Sequence, residues 1–396
     1  MAALSRIMLP DSGFHRFIAR SATLLYYLIR SCAPTRNTGL GLGCMHGPNL
    51  IFGAEITAPG RALPHHGGVS GEHRARSTAG RTLEVIPPGA GAAAMSSGIV
   101  SVGLHLSGFE AFSLVWLVIG SAIWLVLTVV FASRLVDDRA RWIDDADTPP
   151  ALTGVAATTV LGTRFVLLDW SPVGYAALVI ALLAWVVLIP AVIRHWTSPT
   201  VGVHFLLCVA TQGLAVLGAT LAASTSGSWL AIPSAAAFVL GLAFYVLVLV
   251  RFSFNQLRVG AGDHWVFGGA LAISTLAAGK LSAAAPAVGW PQGLHHFCQR
   301  LSVVLMVVVL GCYAVLLVCE LIWPRLEYDV RRWSTAFPMG MTSAALLTVA
   351  ATASVSWLKP VGEVLVWPAV ALCTVLLIAS LRRLRAVSSP TPTVGT

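Results

Sequence analysis

Charge is what this chain has least of. Of its 396 residues only 16 are acidic and 25 basic, 10% charged together, whereas 57% are hydrophobic. A soluble domain carries roughly 25% charged residues, and the mean hydropathy here is +0.81. A water-soluble enzyme, a secreted scaffold and a nucleic-acid-binding domain are therefore excluded at the outset. The net charge of +9 is no nucleic-acid footprint either, because nine arginines and three acids fall before Thr82 and leave the hydrophobic body near +3. Cysteine is sparse too: Cys32, Cys44, Cys208, Cys298, Cys312, Cys319 and Cys373 contain no C-x-x-C pair and mostly sit in apolar runs. They read as small core residues, not as a metal site or a disulfide framework. No glycine-rich stretch is followed by a P-loop lysine, and Gly39-Leu-Gly41-Leu-Gly43 lies in an irregular leader.

What is present is a series of long apolar runs. A membrane helix takes about 20 such residues, and the sequence predicts ten: Pro88–Leu106, Phe109–Ser133, Ala151–Leu168, Val173–Ile193, Val203–Ala223, Trp229–Arg251, His264–Lys280, Arg300–Trp323, Trp333–Ser356 and Val361–Leu381. The fold class is an all-α polytopic membrane protein. Its organisation reads as an Arg-rich, acid-poor leader over 1–82, expected to be disordered, a transmembrane domain over 83–387 and a Ser/Pro/Thr tail over 388–396. The third span is the weakest, since Arg164 lies within it, but the basic residues require it. With ten spans, one side carries 12 of the body's basic residues and the other carries Arg164, Lys280, Arg300 and Lys359. The positive-inside rule then puts both termini in the cytoplasm, in the plasma membrane of the cell.

The spans alternate in composition. In 19-residue windows, the odd spans hold 51 Gly, Ala, Ser and Thr in 95 residues and the even spans 25 in 95. Bulky aliphatic helices suit lipid, whereas small and hydroxylated ones pack closely or line a polar path. Five helical hairpins, small helix inward and bulky helix outward, would make a ring of five within a ring of five around a central pore. Tight packing without a lumen is the competing outcome. The axis could be lined by Ser96, Ser97 and Ser101, by Thr158, Thr159 and Thr163, by Thr211 and Gln212, by Ser274 and Thr275, and by Thr342, Ser343, Thr348 and Thr352. Of these Ser97, Thr158, Thr211, Gln212, Ser274 and Thr342 are the candidate lining set. No ionisable group is expected in mid-membrane on an odd span, which favours weak solvation of an ion over tight coupling. All five odd helices would point their N-terminal dipole ends at the cytoplasmic mouth, favouring anions there. Arg164 and Lys280 end their spans at the opposite mouth, where they could attract anions or simply cap helices.

In the ninth span, Trp333-Ser-Thr-Ala-Phe337-Pro338-Met339-Gly340, the proline predicts a helix kink beside Phe337. An aromatic ring there could plug a narrow pore; packing in a core is the plainer role. Together with Pro87-Pro88, Met95-Ser96-Ser97-Gly98-Ile99-Val100 and Val209-Ala210-Thr211-Gln212-Gly213-Leu214-Ala215-Val216, this segment resembles the tellurite-resistance/dicarboxylate transporter family, which includes TehA-type and slow-type anion channels. The resemblance covers about residues 85–385. It implies five hairpins around a pore, a homotrimer, a gate phenylalanine falling on Phe337, no cofactor, and a small anion as substrate: tellurite, a dicarboxylate, sulfite, nitrate or chloride. This chain departs from the family in having Arg332-Trp333 where two tryptophans are common, which makes the cytoplasmic approach to the ninth span more basic.

The competing class is a membrane prenyl- or phosphatidyl-transferase that holds Mg²⁺ on Asp137, Asp138, Asp144 and Asp145. Those acids are interleaved with Arg134, Arg139 and Arg141, the pattern of a solvated mixed-charge loop. The exterior-loop pair His295-His296 lacks further ligands at metal spacing except Cys298.

Overall fold

The computed structural model describes residues 88–325 and 329–388. The expected leader over 1–82, Pro87 and the tail beyond Ser388 lie outside the described residues. Among the described residues there are ten helices of 15 residues or more: α1 Gly91–Leu106, α2 Glu110–Asp137, α3 Leu152–Val166, α4 Ser171–Arg194, α5 Leu206–Thr225, α6 Ser228–Leu249, α7 Val266–Ala284, α8 Gln292–Ile322, α9 Trp333–Ala353 and α10 Leu358–Ser388. Eight of them, with their leading turns, are long and apolar enough to cross a membrane. The other two, α1 and α3, have 16 and 15 residues, and each is lengthened by a three-residue turn before it.

Several helices outrun their apolar runs. α8 starts at Gln292, so His295 and His296 lie in its first turns and not in a loop. α7 continues past Lys280 to Ala284, and α10 reaches Ser388. Hydropathy marks where a chain meets hydrocarbon, whereas backbone hydrogen bonding carries a helix on into polar surroundings. For the same reason the acidic stretch after α2 is a short helix, Arg139–Ala146, whose Asp145 pairs with Arg134 at 2.9 Å.

Each odd helix packs on the even helix that follows it, and the odd helices adjoin in a closed ring, α1, α3, α5, α7, α9 and back to α1. Burial follows that order. The apolar stretches of α5, α7 and α9 are 100%, 83% and 72% buried, against 22–33% for α2, α4, α6, α8 and α10. α1 and α3 are buried along nearly their whole length. The outer helices instead expose Val118, Val129, Leu183, Val239, Val307 and Val364, an apolar belt too extensive for water and suited to lipid.

Small residues permit the inner contacts. A Cβ on Gly162 of α3 would come within 2.7 Å of Ala177 on α4, and one on Gly269 of α7 within 2.6 Å of Pro338 on α9. Indole hydrogen bonds then tie successive hairpins: Trp124 of α2 donates to Thr158 of α3 at 2.8 Å, and Trp185 of α4 to Thr211 of α5 at 2.9 Å.

All five inner helices also share a feature that hydropathy does not reveal. Each is entered through a 3-10 turn: Pro88–Ala90, Pro149–Ala151, Gly202–Phe205, Asp263–Trp265 and Val330–Arg332. Four of the five neighbouring pairs of turns touch, so the inner N-termini gather at one end and the inner helices run parallel. The five described cysteines are free, and Cys208, Cys298 and Cys373 are buried.

Candidate functional site

The inner ring encloses a narrow cavity to which all five of its helices contribute. Ile99 and Val102 come from α1, Thr159, Val160 and Thr163 from α3, Gly213 and Val216 from α5, Ile273, Leu276 and Lys280 from α7, and Met341 from α9. Spacings of three and four residues put each set on one helical face, so the lining follows directly from parallel helices presenting one stripe each to a common axis. The free space is about 10 Å³, room for about one water molecule. Gly213 is required for this closeness, because any side chain there would run into Thr159.

Phe337 is fully buried and lies four residues before Met341. It does not border the cavity, which α9 meets at Met341. The start of α9 is anchored from several directions. Ser96 of α1 donates to the Trp333 carbonyl at 2.9 Å, the Trp333 indole reaches Ser380 of α10 at 3.3 Å, and Thr335 donates to the Gly262 carbonyl at 3.2 Å. Arg332 pairs with Glu320 of α8 at 2.7 Å, a carboxylate it shares with Arg325 at 3.0 Å. Before the turn into α9, the Asp329 carboxylate accepts from the Arg331 backbone N–H at 2.8 Å. Burial pushes the Asp329 carboxyl up, but its hydrogen bonds from Arg331 prevail and hold it below the ordinary range.

None of the six candidate lining residues borders this cavity. Ser97 faces Gly120 of α2. Thr158 and Thr211 receive the indole bonds from the outer ring. The Gln212 amide donates to the Phe238 carbonyl of α6 at 3.0 Å. Ser274 and Thr342 donate to the carbonyls four residues earlier, at 2.8 Å each. Composition identifies an inner helix but does not say which face of it meets the axis. Two other threonines from the wider set, Thr159 and Thr163, do line the cavity.

The two expected mouth charges have different fates. Arg164, one residue past Thr163, is rotated by about 100° from the axis. Its side chain is fully buried against α2, where it pairs with the Glu110 carboxylate and donates to the Ser113 hydroxyl at 3.0 Å. It is thus a structural cation between inner and outer rings. Lys280 lines the cavity, one turn inside the end of α7. The sequence placed Lys280 at the end of a span because hydropathy falls there, and the helix continues one turn past it to Ala284.

Among the described residues no three His, Cys, Asp or Glu side chains group to hold a metal ion. Asp145 is taken by Arg134, Asp147 lies 3.4 Å from His195, and His295 is 3.0 Å from the Ser282 carbonyl.

The chain was compared with known proteins. No curated protein matches it. The profile of the SLAC1 voltage-dependent anion channel family matches residues 86–381, a stretch that runs from the turn before α1 into α10. The match covers about three quarters of the chain and every helix of both rings, so the chain belongs to the voltage-dependent anion channel family and serves transmembrane anion transport.

Proposed function

We propose that small anions cross along the axis of the inner ring and that the Phe337 ring closes the path. The observation that carries this reading is the axial cavity, bordered by all five inner helices yet with room for only about one water. An anion must shed most of its hydration to pass so narrow a space, and something must compensate. Five parallel helix N-termini at the collar supply partial positive charge, roughly half a unit each. Thr159 and Thr163 border the cavity, with their hydroxyls donating to the Ala156 and Thr159 carbonyls at 2.9 and 2.8 Å. In this reading Phe337 stands between collar and cavity, and Pro338 beside it packs on Gly269.

The substrate is a small anion of the kind that includes tellurite, dicarboxylates, sulfite, nitrate and chloride. Both termini are cytoplasmic, as the 12-to-4 partition of basic residues requires across ten spans. The protein works in the plasma membrane as a homotrimer, the assembly that the family resemblance implies, and has no enzymatic activity. A transferase reading has no observation in its favour, since Asp145 is neutralised by Arg134.

Planar-bilayer recordings of the wild type, Phe337→Ala and Phe337→Leu under a chloride gradient test the gate. Removing the ring raises anion current in the Ala variant, and the Leu variant falls between. A core phenylalanine behaves otherwise, since its truncation costs about 3–5 kcal/mol and lowers yield and current together. Unchanged or reduced current in the Ala variant at equal protein amount removes the gate from Phe337. A reversal potential favouring cations removes the anion path.

A further inference from the structure

We propose that Glu320 of α8 is a positioning residue for transport: its carboxylate, shared between the turns that lead into α7 and α9, latches the start of α9 and so keeps the axial path in its narrow arrangement. The proposal deepens the transport reading and rests on it. It begins with an acid in an apolar setting. Glu320 is the only carboxylate among the 31 residues of α8 and stands near the end of its long apolar run. A membrane helix keeps such a group where it is paired. Arg332, the last residue of the turn into α9, donates to it at 2.7 Å, Arg325 of the α8–α9 connection at 3.0 Å, and the Trp265 indole, in the turn into α7, at 3.2 Å. Both arginines then reach further. Arg325 donates to the Leu257 and Arg258 carbonyls in the α6–α7 connection at 2.9 and 3.0 Å, and Arg332 to the Arg325 carbonyl at 2.6 Å. One carboxylate thus gathers the approaches to two inner helices and the end of an outer one.

The three charged side chains are 14–19% exposed, so water screens them little, and each bond between them is about twice as strong as a neutral one. The other bonds described for the start of α9, from Ser96, Trp333 and Thr335, are all neutral. Glu320 is therefore the strongest tie on this end of the helix, and Phe337 follows Arg332 within two turns. The latch also has a second place to go. The His264 ring, next to Trp265, is fully buried, neither of its nitrogens has a hydrogen-bond partner among the described residues, and Nε2 stands 4.0 Å from the carboxylate. A shift of about 1 Å brings that nitrogen within bonding reach. Glu320 can then exchange its donor on the α9 side for one on the α7 side, which frees α9 without leaving the acid bare. The arrangement held here is the one with room for about one water, so loosening it admits only wider ones.

Two measurements on the full chain separate the latch from the transport reading. In detergent, amide hydrogen exchange reports how firmly each helix is held without any need for flux. In proteoliposomes, chloride flux at equal folded amount reports transport. In Glu320→Gln the two arginines lose their counter-charge, and in Arg332→Gln the carboxylate keeps Arg325 but releases α9. Each variant should speed exchange over residues 333–341 about tenfold, the loss of one charge-assisted bond, and leave α1, α3 and α5 as protected as in the wild type. Each should also raise chloride flux about threefold or more as wider arrangements become populated. Arg332→Lys, which keeps the charge, should stay nearer the wild type than Arg332→Gln on both readouts. Unchanged exchange over 333–341 in both Gln variants, or faster exchange in every inner helix, would overturn the latch while leaving anion transport in place. Faster exchange confined to 333–341 with unchanged flux, in preparations where Phe337→Ala raises flux, would overturn the role of Glu320 in transport. A flux gain in the Gln variants with none in Phe337→Ala would support the latch and remove the gate from Phe337. Exchange altered only at the start of α9, with no flux from the wild type or any variant, would establish the latch and overturn the transport reading instead.

Discussion

Glu110→Ala should destabilise the protein more than Arg164→Met, although both substitutions break the same ion pair. The asymmetry follows from where the two charges sit. The Arg164 side chain is 0% exposed and that of Glu110 is 44% exposed. Removing one partner of a buried pair typically costs about 3–5 kcal/mol, because the remaining charge is stranded. With Glu110 gone, Arg164 keeps only its Nε bond to Ser113, and its Nη1 already lacks a partner. Solvent reaching Glu110 screens the pair, so the low end of that range, about 3 kcal/mol, is expected for Glu110→Ala. Arg164→Met leaves Glu110 hydrated and still hydrogen-bonded to His105 at 2.6 Å, while an unbranched apolar chain fills the vacated path. Its cost should be about 1 kcal/mol, the value of a partly solvated pair. The double variant should sit near Arg164→Met alone, since no stranded charge remains, and the resulting non-additivity of about 3 kcal/mol is the coupling to be measured. Reversible unfolding in mixed micelles of the wild type, two single variants and the double variant gives the cycle. An Arg164→Met protein as unstable as Glu110→Ala, or an additive double variant, would refute the reasoning.

Two further outcomes test the arrangement in the membrane. Ser226, exposed in the turn between α5 and α6, should be labelled by an impermeant thiol reagent from outside once replaced by Cys, and a reporter fused after Ser388 should read cytoplasmic; labelling of residue 226 only after permeabilisation would reverse the orientation. Deleting residues 2–78 should leave insertion and anion flux intact, because the family match starts at residue 86 and the first described helix at Gly91; loss of insertion would show that this stretch anchors the chain.

The membrane setting, the hairpin order and the division into inner and outer helices were all legible in the sequence. Each depends on composition averaged over a whole helix. Small residues at Gly162 and Gly269 matter because helices there approach closely, and any window of 19 residues registers that enrichment. The 3-10 turns before the inner helices escaped because they lie at the polar edges of the apolar runs, where Pro88, Pro149-Pro150 and Gly202 were the available signals. The identity of the lining escaped for a different reason. Adjacent positions on a helix point about 100° apart, so Thr163 meets the axis while Arg164 turns to Glu110, and the sequence alone gives no origin for that rotation. Only the packing of five helices on one another fixes it. The same packing turns Thr158 and Thr211 to outer-ring indoles and leaves Lys280, which hydropathy assigned to a helix end, facing the cavity. Composition thus determined which helices are inside, and tertiary contact decided which side of each one an ion would meet.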